Sequence, residues 1–323
     1  MARKFAYDLS LTDIINAHNR ISNIVRKTPL EKSISLSNEY KGDYWFKMEN
    51  LQITGSFKLR GAANKILSLS QSELDAGLVC ASAGNHAQAV AYMANIVGAH
   101  ADIVVPGDTP QSKIDGVKRW GSNAIVYGDI YDEAQEYAYA LCKKQGSTFI
   151  HAYLDPVTIA GQGTATLEAL FDNPNFDTIL VPAGGGGLMI GQAVAAKGIN
   201  EDIRVIGIQT LCSPPWYYSF QDKILNNNVE FKPTIAEGLS GIIEEPNFTE
   251  SLKCIDEIIL VNEETVKKAM VWMLDRHHMV IEASSAVVIA AIMENAERFR
   301  NTSVLSILSG SSVDNSFIQG ILK

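Results

Sequence analysis

At 323 residues, 46% hydrophobic and 20% charged, the chain is long enough for about two globular domains and too evenly mixed for disorder or a collagen-like repeat. A formal net charge of −9 argues against binding a phosphate backbone as a main activity, so no nucleic-acid partner is expected. Uncharged apolar stretches such as residues 286–293 fall far short of the roughly 20 residues a membrane helix needs, so no membrane partner is expected either.

The chain opens MARKFAYDLSLTD, with early charge and no apolar core behind it, which argues against a secretory signal. Cys80, Cys142, Cys212 and Cys254 are scattered and form no CxxC pair, the pattern of reduced structural cysteines in a cytoplasmic protein. The first predicted element is a helix capped by Ser10 with Asp13 three residues on, its apolar stripe made by Ile14, Ile15, Ile21, Ile24 and Val25. From about residue 78 short β-rich runs alternate with longer helical ones. Strands are predicted at residues 78–82, 101–105, 123–127, 178–182, 204–208, 257–261 and 304–308. Helices are predicted from near Asn85, near Thr109, over 131–144 and from Leu188. Short strands apolar on both faces and separated by helices imply parallel sheets in an α/β architecture. The alternation closes near Ile150 and then resumes, which suggests two sheets.

Four stretches carry chemistry. In Glu49-Asn-Leu-Gln-Ile-Thr-Gly-Ser-Phe-Lys-Leu-Arg-Gly-Ala62, Lys58 stands alone among Gly, Ser and Phe. A lysine nucleophile needs a lowered pKa, from desolvation or a nearby cation, and Arg60 is one candidate for that cation. Taken alone, such a lysine is more often a surface residue. In Ser82-Ala-Gly-Asn-His-Ala-Gln88, a strand runs through a small-residue loop into a helix, where free N–H groups suit a carboxylate. Asn85 there is either a hydrogen-bonding site residue or a plain helix cap, and His86 reads as structural. In Val181-Pro-Ala-Gly-Gly-Gly-Gly-Leu-Met-Ile-Gly191, a buried strand enters four glycines and then a helix. No Lys-Ser/Thr follows the glycines and no GxGxxG is formed, so this is neither a P-loop nor a dinucleotide fingerprint; glycine N–H groups joined by a helix N-terminus suit a phosphate dianion, the alternative being a tight strand–helix turn, which rarely needs four glycines. In Leu308-Ser-Gly-Ser-Ser-Val-Asp314 a strand ends in a polar turn whose hydroxyl either meets a ring nitrogen or caps the next element. A phosphate cradle, an isolated lysine and a carboxylate loop together point to one cofactor, pyridoxal 5′-phosphate, and to an amino-acid substrate.

These residues, in this order, resemble the fold-type II pyridoxal-phosphate enzymes, in particular the serine/threonine dehydratase (threonine ammonia-lyase) and serine racemase branch. The likeness covers nearly the whole chain and is carried by the Lys58 segment, SAGNHAQ, the AGQGT at residues 160–164, the tetraglycine and Ser309-Gly310. It implies a tryptophan-synthase-β-like fold of two open, twisted parallel-sheet α/β domains with the active site in the cleft. The large cofactor-binding domain would hold residues 1–72 and 152–323, and the small mobile domain residues 73–151. By resemblance Lys58 is the Schiff-base lysine, Phe57 packs on the cofactor ring and Asn85 lies near the ring oxygen. Gly184, Gly185, Gly186 and Gly187 form the phosphate cup, Gly238 faces the ring and Ser309 meets the pyridine nitrogen. Ser82, Ala83, Gly84, Asn85 and His86 form the loop for the substrate carboxylate, and Lys58 and Ser82 are the catalytic candidates.

The implied reaction is α,β-elimination of a β-hydroxy amino acid, L-threonine or L-serine, to a 2-oxo acid and ammonia. Lys58 would remove the Cα proton, and the neutral Ser309 would favour prompt elimination. Departures from the family pattern bear on the choice of reaction. Ala83 stands where the racemases carry an acid/base serine, which disfavours racemisation. Gln209, Ser213 and Pro215 stand where the branch's cation ligands would be, so no metal is expected. Glu282-Ala-Ser-Ser-Ala286 replaces Glu-Pro-x-Gly-Ala, and Ser309-Gly-Ser-Ser-Val replaces Ser-Gly-Gly-Asn. Pro214-Pro-Trp-Tyr-Tyr218 is unusually aromatic, reshaping the cleft or serving a subunit interface. β-Replacement, racemisation and a non-catalytic binding role are the rival readings. A nicotinamide-dependent oxidoreductase lacks its fingerprint here. The chain ends without the added regulatory domain of biosynthetic threonine dehydratases, which reads as a catalytic-only form, and a homodimer or tetramer is expected.

Overall fold

A computed structural model describes residues 7–322; the charged start of the chain, residues 1–6, lies outside the described residues. Ten strands are present among them: β1 (Leu30–Lys32), β2 (Asp43–Lys47), β3 (Leu78–Ala81), β4 (Ala101–Val105), β5 (Asn123–Val126), β6 (Thr148–Phe149), β7 (Thr178–Pro182), β8 (Arg204–Thr210), β9 (Glu257–Val261) and β10 (Ser303–Ile307). They make two sheets, a six-stranded one in the order β1-β2-β10-β7-β8-β9 and a four-stranded one in the order β5-β4-β3-β6. Every pairing is parallel except that of β1 with β2, so the expected parallel sheets carry one antiparallel edge strand of three residues.

The six-stranded sheet is apolar on both faces because successive side chains alternate between two cores. Ile179 and Val181 of β7 and Leu305 and Ile307 of β10 face one core; Leu180, Val304 and Leu308 face the other. The first core holds the helices Pro156–Asp172 and Gly187–Ile199, and the second the helix Ala283–Glu294, whose first ten residues are all buried. Two glycines let the first pair touch backbone to backbone: a Cβ on Gly191 would lie 2.8 Å from the Gly163 nitrogen. The same helix meets the one carrying Lys58, Lys58–Ile66, where a Cβ on Gly61 would lie 2.7 Å from the Thr158 carbonyl oxygen.

The opening helix, Leu11–Ile21, has the expected capping box between Ser10 and Asp13. Its buried face is Ile14, Ala17 and Ile21, while Ile15 is 38% exposed. The predicted stripe is thus too wide: Ile15 lies about 100° from Ile14 on the helix, and Ile24 and Val25 follow its end. The helix expected near Thr109 begins at Gln111, because Thr109 precedes a proline and Pro110, at ψ 139°, is its non-helical cap.

Candidate active site

Strands β3, β7 and β10 all deliver their C-terminal ends to one region, the usual place for a site in parallel sheets. The segment before Lys58 is fastened there along the end of β10. Asn50 N–H donates to the Leu308 carbonyl (2.9 Å), Phe57 N–H to that of Ser309 (3.0 Å) and Ser311 N–H to that of Gly55 (3.0 Å). The Ser311 hydroxyl donates to the carbonyls of Asn50 (3.2 Å) and Gly55 (3.3 Å), so one departure in the terminal turn has a local use. Ser309 is 2% exposed and Phe57 half-buried, with the Lys58 ammonium nitrogen 5.1 Å from the Phe57 ring centre.

Lys58 Nζ donates to the Ala152 carbonyl (3.1 Å). Burial, only partly opposed by Glu282, pulls its pKa down to about 8. Arg60 is not the cause. Its guanidinium, two residues on, is wholly buried against Glu49 (2.8 Å) and Glu168 (2.7 Å), so of the two routes to a lowered pKa it is desolvation and not the Arg60 cation that acts. An amine half-neutral near pH 8 is a nucleophile under physiological conditions, whereas an ordinary lysine is not. Uptake of pyridoxal phosphate by apo-protein is therefore expected to rise about tenfold per pH unit up to pH 8 and then level off. Absorbance of the lysine-bound cofactor follows it, and a rise continuing to pH 10 contradicts the low pKa.

The loop after β3 brings Ser82, Ala83, Gly84 and Asn85 to the same region, all partly exposed. Ser82 Oγ accepts from Gly84 N–H (3.2 Å). The helix Asn85–Val97 is capped by Gly84, so Asn85 is not a plain cap. Its amide instead donates to both Glu282 carboxylate oxygens, at 3.1 and 2.9 Å. Burial raises the Glu282 pKa to about 7 against the opposing Asn85 hydrogen bonds, so this carboxyl can hold or release a proton near neutrality. Its backbone N–H donates to the Gly310 carbonyl (3.1 Å), which ties it to the turn beside Ser309. The sequence marks Glu282 only as the start of a departing segment; no spacing signal links it to Asn85.

His86 is buried with Nε2 on the Ile150 carbonyl (2.9 Å), and burial, then the Lys58 charge, lowers its pKa to about 3. It is a neutral side chain turned into the protein, so any part it has in the loop is through its backbone. His151, also neutral, accepts from Tyr153 and Leu154 N–H at Nδ1 (3.2 and 3.0 Å), which puts its proton on Nε2.

Gly184–Gly187 turn from β7 into the helix Gly187–Ile199, with Gly186 at φ +89°. Gly184 lies against Gly238, whose N–H donates to Ser284 Oγ (3.0 Å). Among the described residues the N–H groups of Gly184, Gly185, Gly186 and Gly187 have no partner within the protein. Their carbonyls do: Gly184 accepts from Trp216 Nε1, Gly185 from Asn247 Nδ2 and Gly186 from Ile190 N–H. Trp216 is therefore buried under the turn rather than lining the cleft, while Tyr218 is 42% exposed.

A family model of pyridoxal-phosphate-dependent enzymes matches residues 21–310. The chain belongs to that family. It is 41% identical over 317 residues to the L-threonine ammonia-lyase of Thermotoga maritima, covering 97% of this chain and 78% of that protein. Among solved structures it is similar to the processed form of threonine deaminase isoform 2 from Solanum lycopersicum, with TM-score 0.92, 33% identity and coverage of 96% and 91% of the two chains. It is also similar to serine racemase from Dictyostelium discoideum, with TM-score 0.88, 35% identity and coverage of 95% and 99%. The fold is that of the fold-type II pyridoxal-phosphate enzymes. The site fits the family's cofactor: four unpartnered N–H groups at a helix N-terminus suit a phosphate dianion, and a desolvated amine suits an aldehyde. No group of three or more His, Cys, Asp or Glu that could hold a metal ion is present among the described residues, and no helix among them is long and apolar enough to cross a membrane.

Proposed function

We propose that this chain is an ammonia-lyase that converts a β-hydroxy amino acid, L-threonine or L-serine, to the 2-oxo acid and ammonia. The observation that carries the reading is a lysine with a pKa near 8 beside a turn with four unpartnered N–H groups. Pyridoxal phosphate, when bound, supplies the electron sink that makes the substrate Cα proton acidic.

The remaining work falls to the chain's own residues. Gly184–Gly187 would hold the phosphate, Phe57 and the Gly238 backbone would lie against the ring, and Ser309 would offer the ring nitrogen a neutral hydroxyl. The N–H groups and Ser82 hydroxyl of the Ser82–His86 loop receive the substrate carboxylate at a helix N-terminus. The Lys58 amine, neutral in a large fraction of molecules near pH 8, takes the Cα proton. Asn85 is oriented by Glu282, which keeps a proton-holding carboxyl at the edge of the site. Loss of water across Cα–Cβ and its return during hydrolysis leave the net change balanced, with no co-reactant.

A division into a large part, residues 1–72 and 152–323, and a small mobile part, residues 73–151, completes the reading. The four-stranded sheet, built only from strands between Leu78 and Phe149, supports it. Cytoplasmic residence accords with four cysteines that are free, and a homo-oligomer, dimer or tetramer, accords with the family resemblance.

Racemisation needs a second acid/base group on the far face of the substrate, and Ala83 has no proton to give. With L-serine, D-serine is expected to form at least about a hundredfold more slowly than pyruvate, the scale of a missing acid/base group. Chiral separation of the products measures this. D-serine appearing as fast as pyruvate overturns the assignment of the reaction.

A further inference from the structure

The tetraglycine turn is held from below by two side chains that the phosphate itself would not touch. Trp216 is wholly buried; its indole N–H donates to the Gly184 carbonyl, and a Cβ on Gly186 would lie 2.7 Å from its ring. It is fixed in turn by Gln209, whose side-chain carbonyl accepts the backbone N–H groups of Trp216 (2.9 Å) and Tyr217 (3.3 Å). Asn247, wholly buried on the helix Glu245–Cys254, donates to the Gly185 carbonyl and to that of Tyr153 (3.0 Å).

A trans peptide unit is planar, with its C=O and N–H pointing in opposite directions. The Gly184 carbonyl shares a plane with the Gly185 N–H, and the Gly185 carbonyl with the Gly186 N–H. A carbonyl fixed downward therefore aims the following N–H up, into the site. Gly-Gly peptides turn over easily, since neither residue has a Cβ to forbid the alternative. A turned peptide would present a carbonyl oxygen to the phosphate and repel it.

We propose that Trp216 and Asn247 are positioning residues for the cofactor phosphate, clamping two glycine peptides so that the Gly185 and Gly186 N–H groups face the dianion. This rests on the reading of Gly184–Gly187 as the phosphate cup. Gln209 extends the device to the end of β8, where an uncharged amide secures the segment that carries Trp216.

Binding of pyridoxal phosphate and of pyridoxal to apo-protein separates the phosphate contribution from that of the ring and of Lys58. Trp216→Phe and Asn247→Ala are each expected to weaken pyridoxal phosphate about tenfold, the scale of one well-placed hydrogen bond to a charged group, and pyridoxal less than about twofold. Equal weakening of both ligands means a general packing role and overturns the proposal, as does no weakening of either. If Trp216→Phe does not fold by circular dichroism, Asn247→Ala decides alone. Wild-type protein that holds both ligands equally overturns the phosphate-cup reading itself, which is a different failure from a variant that keeps the wild-type preference.

Discussion

Lys58→Ala is expected to lower kcat by at least about a thousandfold, because one side chain supplies both the covalent anchor and the proton acceptor. The cofactor should still bind, since Gly184–Gly187 with their free N–H groups are untouched, but it should exchange freely on gel filtration. The absorbance of the lysine-bound form should vanish. Lys58→Arg offers no rescue, because a guanidinium stays charged and cannot attack the aldehyde. A variant that turns over at the wild-type rate would remove Lys58 from the chemistry altogether.

The second large effect concerns stability. Lys47, Glu49, Arg60 and Glu168 form a buried cluster with two charges of each sign. Lys47 Nζ donates to Glu168 (2.6 Å) and to the Thr28 carbonyl (2.7 Å), while Arg60 reaches both carboxylates at 2.7–2.9 Å. Removing Arg60 leaves a net buried negative charge, and Arg60→Met is expected to cost about 3–5 kcal/mol in urea unfolding. Glu49→Gln with Arg60→Met restores a neutral cluster, so the double variant should be less destabilised than the sum of the two single ones. Simple additivity contradicts the cluster.

The cluster also fixes the sign of a pH effect. Burial works against the Glu49 charge, yet Arg60, Lys47 and Thr28 outweigh it and hold the carboxyl below its usual range. A lowered carboxyl pKa gives stability that is present above the unfolded value, about 4.3, and is lost as pH falls through the folded value. Arg60→Met should therefore flatten the loss of stability on acidification below about pH 4.

Elements read from local pattern are legible in the sequence. β4, β7 and β9 occupy the predicted residues 101–105, 178–182 and 257–261, because mostly apolar strands packed between helices read as short apolar runs even where a polar residue such as Asp102 or Glu257 interrupts or opens them. The lysine segment, the tetraglycine turn and the Ser82–Gln88 loop stand out because each concentrates small residues beside a functional one. β1 and β6, three and two residues long, give no such signal, nor does β2, whose five residues begin at Asp43 and end at Lys47; β6 exists through its partner β3. What is least legible is pairing over distance. Arg60 reads as a neighbour of Lys58, but its fate is decided by Glu168, 108 residues away. Asn85 meets Glu282 across 197 residues, and Trp216 and Asn247 reach the glycine turn from 32 and 62 residues away. Such contacts depend on how whole layers pack, which a single sequence does not display.

The most direct test is release of 2-oxo acid and ammonia from L-threonine by purified protein loaded with pyridoxal phosphate. Equimolar 2-oxobutanoate and ammonia, abolished by Lys58→Ala, is the expected result. Silence with both threonine and serine, from protein that carries the cofactor on Lys58, would contradict the elimination reading and move the reaction to a different β-substituent or to replacement.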